Sequence, residues 1–319
     1  MIIHTSRPLW SACGEAPRVA HATTRPLVIA LHASASSARQ WRALAARLEP
    51  QGAAASRTVT GYRVIAVDLH DHGVGPAWTV GGASRAPLTL EDEAALVAPL
   101  LAEAGRVSDG GGVHLVGHSY GGAVALKVAC QHPQHVRSLV LYEPVAFRLL
   151  MDDPASHAET QEALAVTAQM QTRLERDDVA GAAQHFVDYW SGSGTWQAMP
   201  AGARAAVEAH MPIVMQHFGA LFNERQQVAA VSRLAVPTLV LSGERTVATA
   251  RRIAKRLRTL LANAVHEALP GLGHMGPVTH AEFVAERIAA HLQAPARAPD
   301  PMPFPSSPVH RPRDLLTAH

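Results

Sequence analysis

Residues 113–122 read VHLVGHSYGG, and within them Gly117, Ser119 and Gly121 make a GxSxG pattern. The residues leading to Gly117 continue an apolar, β-branched run, and Gly122 to Cys130 are small and apolar, as in a buried helix. Strand, sharp turn and helix in that order are the setting in which GxSxG acts as a nucleophile elbow. A serine raised into a strained turn exposes its Oγ, and flanking glycines let strand and helix backbones cross where a Cβ would clash. Ser119 is therefore the leading candidate for a nucleophile.

The chain has 319 residues, 48% of them hydrophobic, enough to bury a full core in one large domain or two. Its formal net charge of +2 comes from interspersed acidic and basic residues, which leaves no footprint for nucleic acid or an anionic membrane surface. No stretch approaches the roughly 20 apolar residues of a membrane span, and no apolar run follows a basic start. Two cysteines, Cys13 and Cys130, imply no disulfide framework. The expectation is a soluble, cytoplasmic protein with a small-molecule substrate and without nucleic-acid or membrane partners.

Outward from the elbow, short apolar strands alternate with amphipathic helices, the pattern of a mostly parallel sheet covered on both faces. Strands are expected at Pro26–His32, Tyr62–Leu69, Gly112–Gly117, Val136–Tyr142, Val236–Leu241 and Val265–Leu269. Helices are expected at Ser37–Leu48, Thr89–Ala104, Gly121–His132, Thr249–Ala262 and Thr279–Leu292. This α/β core covers residues 25–146 and 233–293, interrupted by a stretch, 147–232, that is helical in pattern and is expected to form a lid. Residues 1–24 are irregular in pattern. Residues 294–319 carry seven prolines, the composition of an extended, disordered tail.

Several motifs are weaker. Gly271, Gly273 and Gly276 also satisfy GxGxxG, but the helix that follows runs into the proline-rich segment, with no second strand and no acidic residue for a ribose. Lys127 lies inside a helix without the glycines of a phosphate cradle. His70 and His72 have the look of a metal-ligand pair, yet no further ligand follows at a useful spacing. No cofactor and no metal are expected.

From about Pro26 to Leu292 the chain resembles the α/β-hydrolase superfamily in element order, with its helical insertion where that family places a lid. LHASASS at 31–37 is similar to the family's oxyanion loop, DLHDHGVG at 68–75 to the loop after the next strand, and GLGHMG at 271–276 to the catalytic histidine loop. The resemblance makes His274 the general base, brought beside the elbow at the carboxyl edge of the sheet. It makes the Tyr120 and Ser34 N–H groups the oxyanion donors. His118 and His32 are read as structural.

The acid of the triad departs from the commonest family pattern. That pattern puts an aspartate three residues beyond a glycine after the post-lid strand, and here Gly243 is followed by Glu244, Arg245 and Thr246. Some relatives carry the acid one strand earlier, where this chain has Glu143 in LVLYEP. Glu143 is the first choice and Glu244 the alternative. The resemblance implies a serine hydrolase that cleaves a carboxylic ester through an acyl-enzyme. Carbon–carbon bond hydrolysis, cofactor-free perhydrolysis or a catalytically silent binding module are the other readings. The insertion's Phe186, Tyr189, Trp190, Trp196, Phe218 and Phe222 suggest an apolar pocket, although a packed helical core would explain them equally well.

Overall fold

A computed structural model describes residues 25–49, 61–78, 86–107, 112–225 and 227–293. The expected irregular N-terminal segment and proline-rich tail lie outside the described residues.

Six strands, β1 (Leu27–Leu31), β2 (Arg63–Val67), β3 (Val113–His118), β4 (Val136–Tyr142), β5 (Thr238–Gly243) and β6 (Ala264–Leu269), form one sheet in the order β2-β1-β3-β4-β5-β6. Every pairing is parallel. Strands buried on both faces need apolar side chains at successive positions, which is why these segments read as unbroken apolar runs. In β1, Leu27, Ile29 and Leu31 face one core, and Val28 and Ala30 face the other. The second core is closed by α1 (Arg42–Leu48) and α12 (Ala281–Gln293). The first is closed by α2 (Leu90–Val107), α3 (Tyr120–Gln131) and α10 (Ala248–Leu260). Each large aliphatic side chain hidden in this way contributes about 1.5–3 kcal/mol.

The expected strands and helices are all present, with two differences of detail. The segment from Ser37 opens with a tight 3-10 turn, Ala38–Trp41, before α1. The last expected helix starts two residues late, as α12, and is preceded by a short α11 (Gly276–Thr279), with His280 between them at φ −133° and ψ 47°, outside helical geometry.

Between β4 and β5 the chain leaves the sheet for six helices: α4 (Arg148–Met151), α5 (His157–Leu174), α6 (Val179–Ser191), α7 (Thr195–Ala198), α8 (Ala201–Asn223) and α9 (Gln227–Ser232). No helix among the described residues is long and apolar enough to cross a membrane. The strand order turns back at β1, which lies between β2 and β3. The loops leaving the carboxyl ends of β1 and β3 therefore flank one crevice, the place where open parallel sheets bind their ligands.

Candidate active site

Ser119 follows β3 directly and caps α3 with φ 54° and ψ −118°, a conformation that side chains rarely adopt. Its N–H is held by the Tyr142 carbonyl at 3.0 Å, and its own carbonyl accepts from Ala123 at 3.1 Å and Val145 at 3.3 Å. A Cβ at Gly117 would lie 2.4 Å from the Gly121 carbonyl oxygen, and one at Gly121 would lie 2.4 Å from that of His32. Both glycines are thus dictated by backbone crossing, as the motif predicts. Gly121 N–H donates to the His32 carbonyl at 3.1 Å, which ties the elbow to the loop after β1.

His274 arrives on the loop between β6 and α11, with Nε2 2.9 Å from Ser119 Oγ and Nδ1 2.7 Å from Glu143 Oε2. Glu143 leaves the end of β4 with φ 42° and is fully buried. Buried carboxyl groups need donors, and Glu143 receives the Gly243 N–H on Oε1 at 2.6 Å and the Thr246 hydroxyl on Oε2 at 2.5 Å. With those donors in place Glu143 is an acceptor toward His274, which puts the proton on Nδ1 and leaves the Nε2 lone pair facing Ser119. The structure thus brings together Ser119, His274 and Glu143. It leaves Glu244 outside, exposed, with Oε2 accepting from the Gly271 N–H at 3.0 Å.

The histidine loop is itself anchored. Tyr142 donates its hydroxyl to the Gly273 carbonyl at 2.8 Å, and His118 Nε2 meets the His274 carbonyl oxygen at 2.8 Å. Burial pulls the His118 imidazole well below its usual pKa, and the neighbouring His274 ring adds to that effect. A neutral ring that donates through Nε2 is a structural brace, as the sequence suggested.

In the loop after β1 the Ala33 N–H is taken by Gln40 Oε1 at 3.2 Å and the Ala35 N–H by His72 Nε2 at 3.0 Å. Between them the Ser34 N–H has no partner among the described residues, and neither has the Tyr120 N–H at the start of α3. These two unpaired donors are on the residues assigned from the resemblance. His32 and His72 support this loop as buried, neutral rings, lowered by burial to about 4 and about 3 respectively.

The insertion reaches the site through few of its aromatic residues. Phe218 and Phe222 stack on Phe147, Phe186 packs edge-on against Phe218, and Tyr189 spends its hydroxyl on Glu162 and Thr249. Trp190 alone of the six stacks on His274, with ring centroids 4.2 Å apart. Ser119 is 6% exposed and His274 2%, so the reacting atoms sit under this cover. A cleft of about 470 Å³ lies elsewhere, between the start of α2 and the ends of α3 and α8, where Lys127 is paired with Glu91 and Glu224. None of its lining residues belongs to the Ser119 constellation. His70 Nδ1 meets Glu93 at 2.9 Å and His72 Nδ1 meets the His70 carbonyl at 2.7 Å.

The family model described as the alpha/beta hydrolase family matches residues 28–287. The chain belongs to the alpha/beta hydrolase family. Among solved structures it is similar to a hydrolase from Pseudomonas aeruginosa PA01, with 21% identity, a TM-score of 0.63, and coverage of 85% of this chain and 91% of the other. A thermophilic esterase from Thermogutta terrifontis aligns with 20% identity and a TM-score of 0.61, covering 84% and 90%. At these identities the likeness shows the α/β-hydrolase fold. Lipase LipV of Mycobacterium tuberculosis is 34% identical over 117 residues, 37% of this chain and 36% of that one. The matches span between 20% and 36% of the length of the curated relatives.

The contacts of three residues at this site were not read from the sequence. Thr246 was visible as a missing acid, and its β-hydroxyl was the only clue that it would hold the acid instead. Trp190 and His217, whose Nδ1 lies 2.8 Å from Ser34 Oγ, come from helices whose periodicity marks an inner face without saying what that face meets.

Proposed function

We propose that the protein is a serine hydrolase that cleaves a carboxylic ester, or a related acyl bond, of a small substrate through an acyl-enzyme on Ser119. The observation that carries this reading is the pair of contacts on one imidazole, Nε2 to Ser119 and Nδ1 to Glu143, at 2.9 and 2.7 Å. His274 takes the Ser119 proton as Oγ attacks the carbonyl carbon, and Glu143 stabilises the imidazolium that forms. The developing oxyanion is received by the N–H groups of Tyr120 and Ser34, with the positive end of α3 behind Tyr120. His274 then returns the proton to the leaving alkoxide, and water, activated by the same imidazole, releases the acid.

The names of two relatives, a lipase and an esterase, support acyl-ester chemistry. The six-helix insertion acts as the lid, with Trp190 placed over His274. Against a silent binding module, Glu143 supplies the carboxylate that position 246 lacks, at 2.7 Å from His274 Nδ1.

The test is labelling by a fluorophosphonate probe together with p-nitrophenyl ester turnover. Labelling of the wild type that disappears in Ser119→Ala, with turnover lost in parallel, is the expected result. A folded wild type that neither labels nor turns over any ester overturns the reading. Product analysis distinguishes ester cleavage from carbon–carbon cleavage.

A further inference from the structure

We infer that His217, carried in by α8, is a positioning residue of the oxyanion hole, one imidazole that holds both backbone donors, Ser34 by a hydrogen bond and Tyr120 by a stacked ring. The inference rests on the serine-hydrolase reading and adds to it a part played by the insertion.

The geometry converges on one side chain. His217 Nδ1 lies 2.8 Å from Ser34 Oγ. The same ring lies on the Tyr120 ring with centroids 3.6 Å apart and planes within 10°. Ser34 and Tyr120 come from different loops, after β1 and after β3, and the N–H of each is without a partner among the described residues. Each is thus clasped through its side chain, while its backbone donor stays unpaired among the described residues. On its other face His217 is stacked by His72 at 5.3 Å, the ring that accepts the Ala35 N–H.

The polar back of the imidazole argues for more than packing. His217 is 1% exposed, its Nε2 has no hydrogen-bond partner among the described residues, and Glu93 Oε1 lies 3.8 Å away. Leaving a buried N–H without a full bond costs about 1–3 kcal/mol, which an aliphatic side chain would not incur. Glu93 is fully buried, also receives the Tyr120 hydroxyl at 3.4 Å, and pairs with His70 at 2.9 Å. An oxygen facing Nε2 favours the tautomer with its proton there, so Nδ1 accepts the Ser34 hydroxyl and sets the rotamer of that residue. Burial, reinforced by the neighbouring imidazoles of His72, His32 and His210, holds His217 well below its usual pKa, consistent with a neutral ring in that role. Glu93 therefore acts on both sides of the hole, on Tyr120 directly and on Ser34 through His217.

The experiment uses the full chain and compares wild type with His217→Phe, Ser34→Ala and the double variant. Phe keeps a flat ring over Tyr120 and loses the hydrogen bond. Ser34→Ala removes the other end of that bond on a half-buried loop without changing any residue of α8. Misplaced donors should cost less than the 10²–10³ of deleting one, so a fall of about tenfold or more in kcat is expected. KM should stay within about a factor of two, because the donors act on the transition state. The inhibition constant of a trifluoromethyl ketone, which adds to the serine as a tetrahedral oxyanion, should weaken by the factor by which kcat/KM falls. The double variant should lose no more than the worse single one, since both remove one bond. If both single variants keep kcat within twofold of wild type, or if their losses multiply in the double variant, the inference is overturned. A wild type unreactive to the fluorophosphonate overturns this inference and the functional reading together. A reactive wild type with unmoved variants overturns this one alone.

Discussion

Thr246 donates its hydroxyl to Glu143 across 2.5 Å, from the turn after β5 where many relatives are expected to carry the acid itself. The exchange is possible because β4 and β5 are paired neighbours, with Tyr142 opposite Leu241 and the Glu143 N–H on the Leu241 carbonyl at 2.9 Å. Their ends lie side by side, and the longer glutamate reaches the histidine from one strand further away. Thr246 keeps the vacated position polar and steers the carboxylate that has replaced it.

The carboxylate should therefore be movable. Glu143→Gln is expected to lower kcat by about 10³–10⁴, the scale of losing the acid that sets the imidazole tautomer. Placing the acid back after β5, as Glu143→Ala with Thr246→Asp, should recover at least about tenfold over Glu143→Ala alone, because the new carboxyl would lie close to where Oε2 now meets Nδ1. Ester turnover of the three variants checks this. A double variant as slow as Glu143→Ala would show that position 246 cannot serve His274.

How much of this was legible in the sequence follows the range of each interaction. The strands were legible because residues such as Val28 and Ile29 face two different cores, so the run is apolar without alternation. Ser119 was legible because its strain is met by glycines within two residues of it. His274 and Glu143 were readable by resemblance to a known element order, and the choice between Glu143 and Glu244 needed the turn after β5 in three dimensions. Trp190 and His217 were illegible: a helix's apolar face shows in its spacing, but which turn of α6 or α8 meets the elbow depends on the path of the whole insertion.

The elbow glycines give a stability prediction. A methyl at Gly121 would meet the His32 carbonyl oxygen at 2.4 Å and the Leu31 backbone at 2.5 Å, and backbone atoms of a central strand cannot move aside as a flexible side chain would. Gly121→Ala should destabilise the fold by about 1–3 kcal/mol, the usual cost of overpacking, and should displace the tie between the two loops. Denaturant unfolding measures it, with Gly202→Ala on the open surface of α8 as the comparison, since a Cβ there has nothing within 4 Å. Equal midpoints for the two variants would contradict the close-approach account.

Buried histidines should make the fold acid-sensitive. Burial lowers His32 to about 4, His72 to about 3 and His114 to about 4, and holds His118 and His217 well below their usual values. Above about pH 6.5 both folded and unfolded forms of such a ring are neutral, and it contributes no pH dependence. Between about 6.5 and the folded value the unfolded chain binds a proton that the folded chain does not, so stability falls as pH falls. The slope is about 1.4 kcal/mol per pH unit for each such ring. Asp153 and Asp178, whose pKa values are lowered by hydrogen bonds to Ser156 and to the Gly181 N–H, begin to lose their stabilising effect only below about pH 3.9, under the range from pH 7 to pH 5. The melting temperature should drop steadily from pH 7 to pH 5, and a flat profile there would sink the prediction.

The cover over His274 sets an expectation for substrate size. Trp190 lies on the imidazole at 4.2 Å, Ser119 is 6% exposed, and Phe147, Phe186, Phe218 and Phe222 are packed on one another rather than spread around an open channel. An acyl chain that displaces no side chain must be short, so kcat/KM for p-nitrophenyl esters should fall by about tenfold or more from butyrate to palmitate, the scale of a pocket that rejects surplus methylenes. Trp190→Ala removes an indole from directly above the base and leaves Glu143 and Thr246 in place. That variant should lower kcat for the short ester, because one restraint on the imidazole is gone, while raising the relative rate on longer chains as the vacated volume admits them. Turnover across an acyl-length series on both proteins decides the point. If wild type prefers palmitate, or if Trp190→Ala leaves the length preference unchanged, Trp190 does not bound the acyl site.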